Sequence, residues 1–460
     1  MKIILIFLLL VGCTVGKDYE RPEIFSDKKI EEVLFTEKKG SSSQKRRFSL
    51  FDFKDETLDK LLRLSEKESL SIRQAVLQLK QARENLKIIQ VANYPTVDVS
   101  GSYNRVQESR NRPLFLEEDY YQIGVDATWE LDIFGGGRRR TQAALSSYRR
   151  TEENLKHVRI SIRSELASLY FNLRLSDKLL RISKEELALQ KRLFALAQER
   201  YEAGLIDFST YTQEKNAVIE KEQKILPLEV EKKVYQNSIA LLVGKLPQTL
   251  DSILEKEAKD FKFSAQKIDF STLYDISADT IRNRPDVRMT EEDLIAQNAQ
   301  VGVAISNLYP KMSLSGMLGF QSLTFPKLLT HKSYAYSFVP SVSMPIFNWG
   351  ALRREVEVQK YIEEQRLIDY ENILLEAVND IKTSYLKIDE AVSTDDLNKQ
   401  SLRKYQDIYD VMRTKYTQGL VSLTQELQAH QELLNALEQE VISENKIYQG
   451  IIQFYKAVGG

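Results

Sequence analysis

At 460 residues the chain is long enough for two or three ordinary domains, and its net charge of −1 carries no basic surplus that would point to nucleic acid. Charged residues reach 28%, glycine and proline number only 18 and 10, and Lys, Glu, Leu, Gln and Ala fill long uninterrupted stretches, a composition of long helices rather than of a plain globular enzyme. After the N-terminus no run of about 18 or more apolar residues occurs, which excludes a hydrophobic transmembrane helix and leaves β-strands as the route into a bilayer.

Residues 1–12 read as a signal peptide, with Lys2 ahead of an apolar run from Ile3 to Val11 that is too short to span a membrane. Leu10-Val11-Gly12 before Cys13 resembles a bacterial lipobox, which marks Cys13 as the lipid-attachment site and mature N-terminus; loss of Lys2 takes the side-chain charge to −2. Cys13 is the single cysteine, so its acylation leaves no thiol for a disulfide, and stability must come from packing and assembly. Residues 13–55 are expected to form a lipidated extended segment.

A first structural repeat is expected over 56–245, with strands near 96–104 and 120–131. Tyr121, Ile123, Val125, Ala127, Trp129 and Leu131 fall on one face of the second strand, and Gln122, Gly124, Asp126, Thr128 and Glu130 on the other. In the first strand Val97, Val99 and Tyr103 oppose Asp98, Ser100 and Ser102. A loop from Asn104 to Asp119 separates the two. Gly135-Gly136-Gly137 then reads as a flexible corner, and Arg138-Arg139-Arg140 as charge facing lipid headgroups or solvent, since the run lacks the lysine-hydroxyl ending of a phosphate loop.

A helical hairpin follows over 141–243. No proline or glycine occurs from Thr141 to Ala203, which as helix would run roughly 90 Å. Leu166, Leu173, Leu180, Leu187, Phe194 and Tyr201 recur every seven residues, a coiled-coil pattern. Gly204 suits the left-handed position that ends a helix, Asp207 or Ser209 can cap the returning one, and Pro227 should bend it.

An inter-repeat equatorial segment is assigned to 246–275, and a second structural repeat to 276–460. Its strands are expected near 311–321 and 335–346, joined by the Ser322 to Tyr334 loop, and its helical hairpin over 351–457. Met312, Leu314, Leu318 and Phe320 oppose Ser313, Ser315 and Gln321; Tyr336, Phe338, Val342 and Met344 oppose Ser337, Ser341 and Ser343. Leu374, Val378, Ile381, Tyr385, Ile388 and Val392 alternate steps of four and three, as do Leu423, Leu427, His430, Leu434, Leu437 and Val441. The turn falls at Tyr416 to Ser422, with Gly419 in the place of Gly204.

The two halves are copies. Ile72-Arg73 returns as Val287-Arg288, Tyr94-Pro95 as Tyr309-Pro310 and Tyr201-x-x-Gly204-Leu205 as Tyr416-x-x-Gly419-Leu420, all in one register; Ile133-Phe134 with Gly137 returns as Ile346-Phe347 with Gly350, two residues out of step. A soluble sandwich would show the same strand alternation. Strand length, polar faces suited to a wet lumen and aromatics near the strand ends favour a membrane barrel. Four strands cannot close one, and an open edge in lipid leaves backbone groups unpaired, so several protomers must share a single barrel.

These residues resemble the TolC-type outer-membrane efflux proteins, and within them the lipidated, NodT/OprM-like branch that serves tripartite RND-type systems. The resemblance is carried by Cys13-Thr14-Val15-Gly16-Lys17-Asp18-Tyr19-Glu20-Arg21-Pro22, by Trp129-Glu130-Leu131-Asp132-Ile133-Phe134-Gly135, by Asn283-Arg284-Pro285-Asp286-Val287 and by Pro345-Ile346-Phe347 with Gly350. It implies a mainly α protein with membrane β: a homotrimer whose coiled-coil hairpins form an α-barrel across the periplasm, joined to a shared 12-stranded β-barrel in the outer membrane. It implies palmitate-bearing lipidation at Cys13, a periplasmic adaptor (membrane fusion protein) and an inner-membrane RND-type pump as partners, contact with outer-membrane lipid, and no cofactor. A ring of twelve helices about 10 Å apart is roughly 38 Å across and a 12-stranded barrel roughly 24 Å, so the two can join without a plug.

The function so implied is a passive exit duct, opened at its periplasmic helical tips. A type I protein secretion outlet shares the fold, and a non-conducting lipoprotein scaffold would share the coiled coils. The gate is placed at Asp207, Leu420 and Val421, with adaptor docking at Tyr201, Gly204, Leu205, Tyr416 and Gly419. The family often has an aspartate just after the second-turn glycine, where this chain has Leu420-Val421, which suggests a hydrophobic constriction; Asp207 serves equally well as a plain helix cap. His157 and His331 are isolated and His430 sits in a heptad, so neither a metal site nor a catalytic base is assembled.

Overall fold

The computed structural model describes residues 14–22, 24–25, 49–107, 109, 111, 117–256 and 278–460. Cys13 and the signal lie outside the described residues, as do most of the first strand-to-strand loop and the inter-repeat segment beyond residue 256. In chain order the elements are α1 (Glu56–Glu68), α2 (Leu70–Val91), β1 (Thr96–Gln107), β2 (Glu117–Leu131), α3 (Gly136–Glu202), α4 (Phe208–Leu242), α5 (Asp251–Lys256), α6 (Ala278–Arg282), α7 (Pro285–Ser306), β3 (Lys311–Ser322), β4 (Tyr334–Ser343), α8 (Ala351–Thr417) and α9 (Leu423–Ala457). Among the described residues the fold is mainly helical with one small sheet.

The duplication shows in the matched element lengths, although β2 has 15 residues and β4 only 10. α3 and α8 are 67 residues each, α4 and α9 35 each, α2 and α7 22 each, β1 and β3 12 each. The described residues divide into two compact units, one drawn from 1–24, 77–153 and 288–373, the other from 25–76, 154–287 and 374–460.

The first unit holds the sheet, an antiparallel meander in the order β1-β2-β3-β4. Its register puts Tyr103 opposite Tyr121, Val125 opposite Leu318 and Leu318 opposite Tyr336, so the apolar positions of all four strands share one face. β4 stops at Ser343, short of 346, ahead of Pro345. α3 starts at Gly136 instead of Thr141, and the triple glycine is no loose corner. Asp132 explains it: one carboxylate oxygen accepts from the Gly137 amide at 2.9 Å and the other from the Arg138 amide at 2.8 Å, satisfying two N–H groups that a helix start leaves orphaned.

The second unit is helical. Its core joins Leu58, Leu61 and Leu62 of α1 to Leu166, Phe171 and Leu173 of α3 and Ile451 of α9, all under 2% exposed. Phe171 stacks on Tyr448 at 4.3 Å and meets Phe53 edge-on at 4.9 Å. Buried along α8 are Leu374, Ala377, Ile381, Ser384, Ile388, Ala391 and Asp395, a four-three heptad seam. The expected Val378, Tyr385 and Val392 lie one position off it, half-buried, because small Ala and Ser side chains let the facing helix approach closely. On α3 the seam likewise passes through Ile182, Glu186, Leu189 and Ala197, leaving Leu180 and Leu187 at its flank. α4 continues through Pro227 without a break.

Candidate functional site

Three features carry chemistry. The first is the sheet. Val97, Val99 and Tyr103 of β1, Ile123, Val125 and Trp129 of β2, Leu314, Leu318 and Phe320 of β3, and Tyr334, Tyr336, Phe338 and Val342 of β4 form a single apolar face. Much of it is bare: Val99 is 79% and Tyr336 74% exposed. Contiguous exposure on this scale marks a surface meant for lipid or protein. The opposite face carries Asp98, Ser100, Gln122, Asp126, Ser313 and Ser341, where Ser100 donates to Asp126 and Ser313 and Ser341 share a hydrogen bond of 2.7 Å. Among the described residues β1 and β4 each have one unpaired edge. Among the described residues no helix is long and apolar enough to cross a membrane.

The second feature is the pair of hairpin turns. In the first, the Gly204 amide donates to the Tyr201 carbonyl at 2.9 Å and the Leu205 amide to Arg200 at 2.8 Å; in the second, Gly419 donates to Tyr416 at 2.9 Å and Leu420 to Lys415 at 2.9 Å. Both are Schellman caps, with Gly204 at φ +71° and Gly419 at φ +74°. A Cβ at either position would meet nothing within 4 Å, so backbone conformation alone demands glycine there. Leu205, Phe208 and Leu420 stand 74%, 66% and 69% exposed, and Tyr201 stacks on Tyr211 at 4.9 Å.

Asp207 caps α4: its Oδ1 accepts from the Thr210 amide at 2.7 Å, and that hydrogen bond holds its carboxyl below the ordinary carboxylate range. Ser422 caps α9 and exchanges hydrogen bonds with Gln425 as a capping box. The eight tip residues expected from the sequence therefore lie in two self-capped turns, Val421 half-buried and the others exposed. Phe208 and Tyr211 belong to the same aromatic cluster as Tyr201; they lie on the returning helix, and only the reversal brings them together.

The third feature is the segment following Cys13. Arg139 is not solvated: its side chain is 2% exposed, its Nε donates to the Val15 carbonyl at 3.2 Å, its Nη2 to Gly16 at 2.9 Å, and its Nη1 pairs with Asp18 at 2.9 Å. The Val15 amide donates to the Phe134 carbonyl at 3.2 Å. Arg21 grips the buried Glu291 of α7 with two bonds of 2.6 and 2.8 Å. Burial, and then the charge of Glu291, push the Tyr19 phenol well above its usual value. His430 stacks on Tyr409 at 4.6 Å and lies 3.5 Å from Glu185, a packing role.

The model of the outer membrane efflux protein family matches residues 61–245 and 277–460. Nodulation protein T of Rhizobium leguminosarum bv. viciae is 26% identical to the chain, over 93% of it and 86% of that protein. The solvent efflux pump outer membrane protein SrpC of Pseudomonas putida is 25% identical, over 98% and 96%. The solved structure of the outer-membrane channel OprN superposes with a TM-score of 0.84 at 25% identity, over 97% of this chain and 99% of that one.

Proposed function

Since the chain belongs to the outer membrane efflux protein family, we propose that it is the outer-membrane exit duct of a tripartite efflux pump, in which three copies pool their sheets into one 12-stranded barrel and their hairpins into a periplasmic tube. The observation that carries this reading is the four-stranded meander with one bare apolar face, one polar face and two unpaired edges. In lipid each unpaired backbone group costs several kcal/mol, so neighbouring copies must take up the edges; the apolar face then meets acyl chains and the polar face lines water. Flux is passive, since an inner-membrane RND-type pump supplies the energy. A periplasmic adaptor engages the turns at Tyr201, Gly204, Leu205, Tyr416 and Gly419.

Cys13 anchors the chain by its acyl groups, and Arg139 holds Val15 and Gly16, with the Val15 amide on the Phe134 carbonyl just past β2. Asp207 supplies a ring of three carboxylates, with Leu420 and Val421 as an apolar constriction nearby. A carboxylate ring favours cations. Asparagine caps a helix about as well as aspartate but carries no charge. Asp207→Asn should therefore reduce the preference for K+ over Cl− in planar bilayers while hydrogen exchange at the Thr210 amide stays slow, and Asp207→Ala should lose both. Unchanged selectivity in the asparagine variant would leave Asp207 a cap only.

The duct itself is tested in cells. Deleting the gene should raise susceptibility within a panel of solvents, drugs and metal cations, with restoration by the acylated protein. A deletion strain no more sensitive than its parent across the panel would argue against export.

A further inference from the structure

Inside the protomer the corner between β2 and α3 meets the junction between α7 and β3. Phe134 stacks on Tyr309, ring centroids 4.8 Å apart and planes at 22°, three steps beyond the Leu131↔Met312 pair on the same ladder. A cleft beside them is lined by Asp132, Phe134, Gly136, Ser306 and Pro310, and a Cβ at Gly136 would come within 2.5 Å of Ser306 Oγ. The two repeats are thus joined by a fitted aromatic contact.

The duplication supplies each half of this joint a second time. Ile346-Phe347 with Gly350 repeats the corner, and Tyr94-Pro95 repeats the junction. Both are left open: Phe347 is 74%, Trp349 90% and Tyr94 68% exposed, and the ring neighbour of Phe347 is its own Trp349 at 4.8 Å. The open halves are also the more apolar. Trp349 stands within a corner that is all glycine in the first repeat, while Val91 and Ala92 replace Ser306 and Asn307. Such a pair of aromatics at the end of an edge strand suits an anchor between chains.

We propose that these halves join between copies, Phe347 of one protomer stacking on the partner's Tyr94 with Trp349 beside it, a joint that rests on the trimeric reading above. The joint fixes the register of β4 against the partner's β1. Stepping back from it as the first joint steps back to Leu131↔Met312 brings Met344 opposite Val97, Val342 opposite Val99 and Phe338 opposite Tyr103, with Ser343 facing Asp98 and Ser341 facing Ser100. From Met344 to Ser341 apolar meets apolar and polar meets polar, and Phe338 meets Tyr103, while nearer the loops Val339 faces Ser102 and Tyr336 faces Arg105. A slip by one would turn one strand's apolar side toward the lumen.

The test uses full-length acylated protein in outer membranes, where Cys13 is consumed. Val99→Cys combined with Val342→Cys should give covalently linked chains on oxidation, whereas each single variant gives none. Adding Phe347→Ala, or Tyr94→Ala where the former fails to accumulate, should cut the yield about tenfold, the scale of one lost aromatic anchor, with unchanged far-UV circular dichroism. Cross-linking undiminished by both alanine variants, or confined to Gly101→Cys with Val342→Cys, would overturn the joint. Mass photometry and bilayer conductance separate the two levels: a conducting trimer with either result leaves the duct standing, and a non-conducting monomer removes both.

Discussion

Replacing Arg284 with methionine should destabilise the protein by roughly 3–5 kcal/mol, the cost of breaking a buried ion pair by removing one partner. The side chain is 6% exposed. Its Nη1 donates to the carbonyls of Ala457 at 2.8 Å and Ala377 at 3.3 Å, and its Nε and Nη2 grip Asp286 at 3.0 and 2.6 Å, with Asp380 at 3.3 Å. One guanidinium thus satisfies a carbonyl in the last turn of α9, a position that favours a cation, and ties it to the start of α7. Methionine keeps much of the volume and none of the donors.

The same pair sets an acid limit. Burial pushes the Asp286 carboxyl up, but the hydrogen bonds and charge of Arg284 outweigh it, and the folded-state value lies below the ordinary one. A depressed carboxylate contributes stability that is present above its unfolded value and is lost as pH falls through the folded one. Melting temperature should therefore fall as pH drops below about 4, the unfolded carboxylate value, and Asp286→Asn should flatten that limb. Thermal melts of detergent-solubilised protein across this range check both. A methionine variant within about 1 kcal/mol of the parent, near the typical effect of a point substitution, would show the cluster to be incidental.

The second large effect is expected at Arg139. Arg139→Met should free residues 15–18, because the Val15 and Gly16 carbonyls and Asp18 lose their shared donor at a site where the side chain is almost fully covered. The loss is on the order of 1.5–3 kcal/mol for each hydrogen bond from the guanidinium to the Val15 and Gly16 carbonyls, the exposed Asp18 adding little. Lysine should rescue only in part, since a single ammonium cannot reproduce the planar fork that reaches three partners. Hydrogen exchange at the Val15 amide reports the outcome directly: rapid exchange in the methionine variant and an intermediate rate in the lysine one. Equal protection in all three would mean that Arg21 and Glu291 hold the segment without help.

How far the sequence could be read depended on whether a feature is local. The strand faces were legible because alternation at Tyr121 to Leu131 and, with Gly316 and Met317 as its only breaks, at Met312 to Phe320 repeats every two residues. The turns were legible because Gly204 and Gly419 end runs free of helix breakers. The start of α3 was not, since three glycines read as a breaker until Asp132, a residue of the preceding strand's exit, supplies the cap. The seam of α8 was misplaced by one residue because Val378, Tyr385 and Val392 outrank Ala377, Ser384 and Ala391 in hydrophobicity. Close helix approach selects small side chains, and a helix with two apolar flanks hides which one faces its own hairpin. Arg139 was lost in an arginine triplet whose members look alike in sequence and differ only in what packs beside them. At the tips the cap of Asp207 is visible in one chain, whereas a ring of carboxylates exists only when copies assemble.

Reconstitution of the acylated protein into planar bilayers tests the assembly most directly. Purified trimer should give discrete, long-lived conductance steps, rare in the parent protein and frequent once the second hairpin turn is loosened by Tyr416→Ala. Protein that stays monomeric in detergent and passes no current, with or without Tyr416→Ala, would contradict the shared barrel.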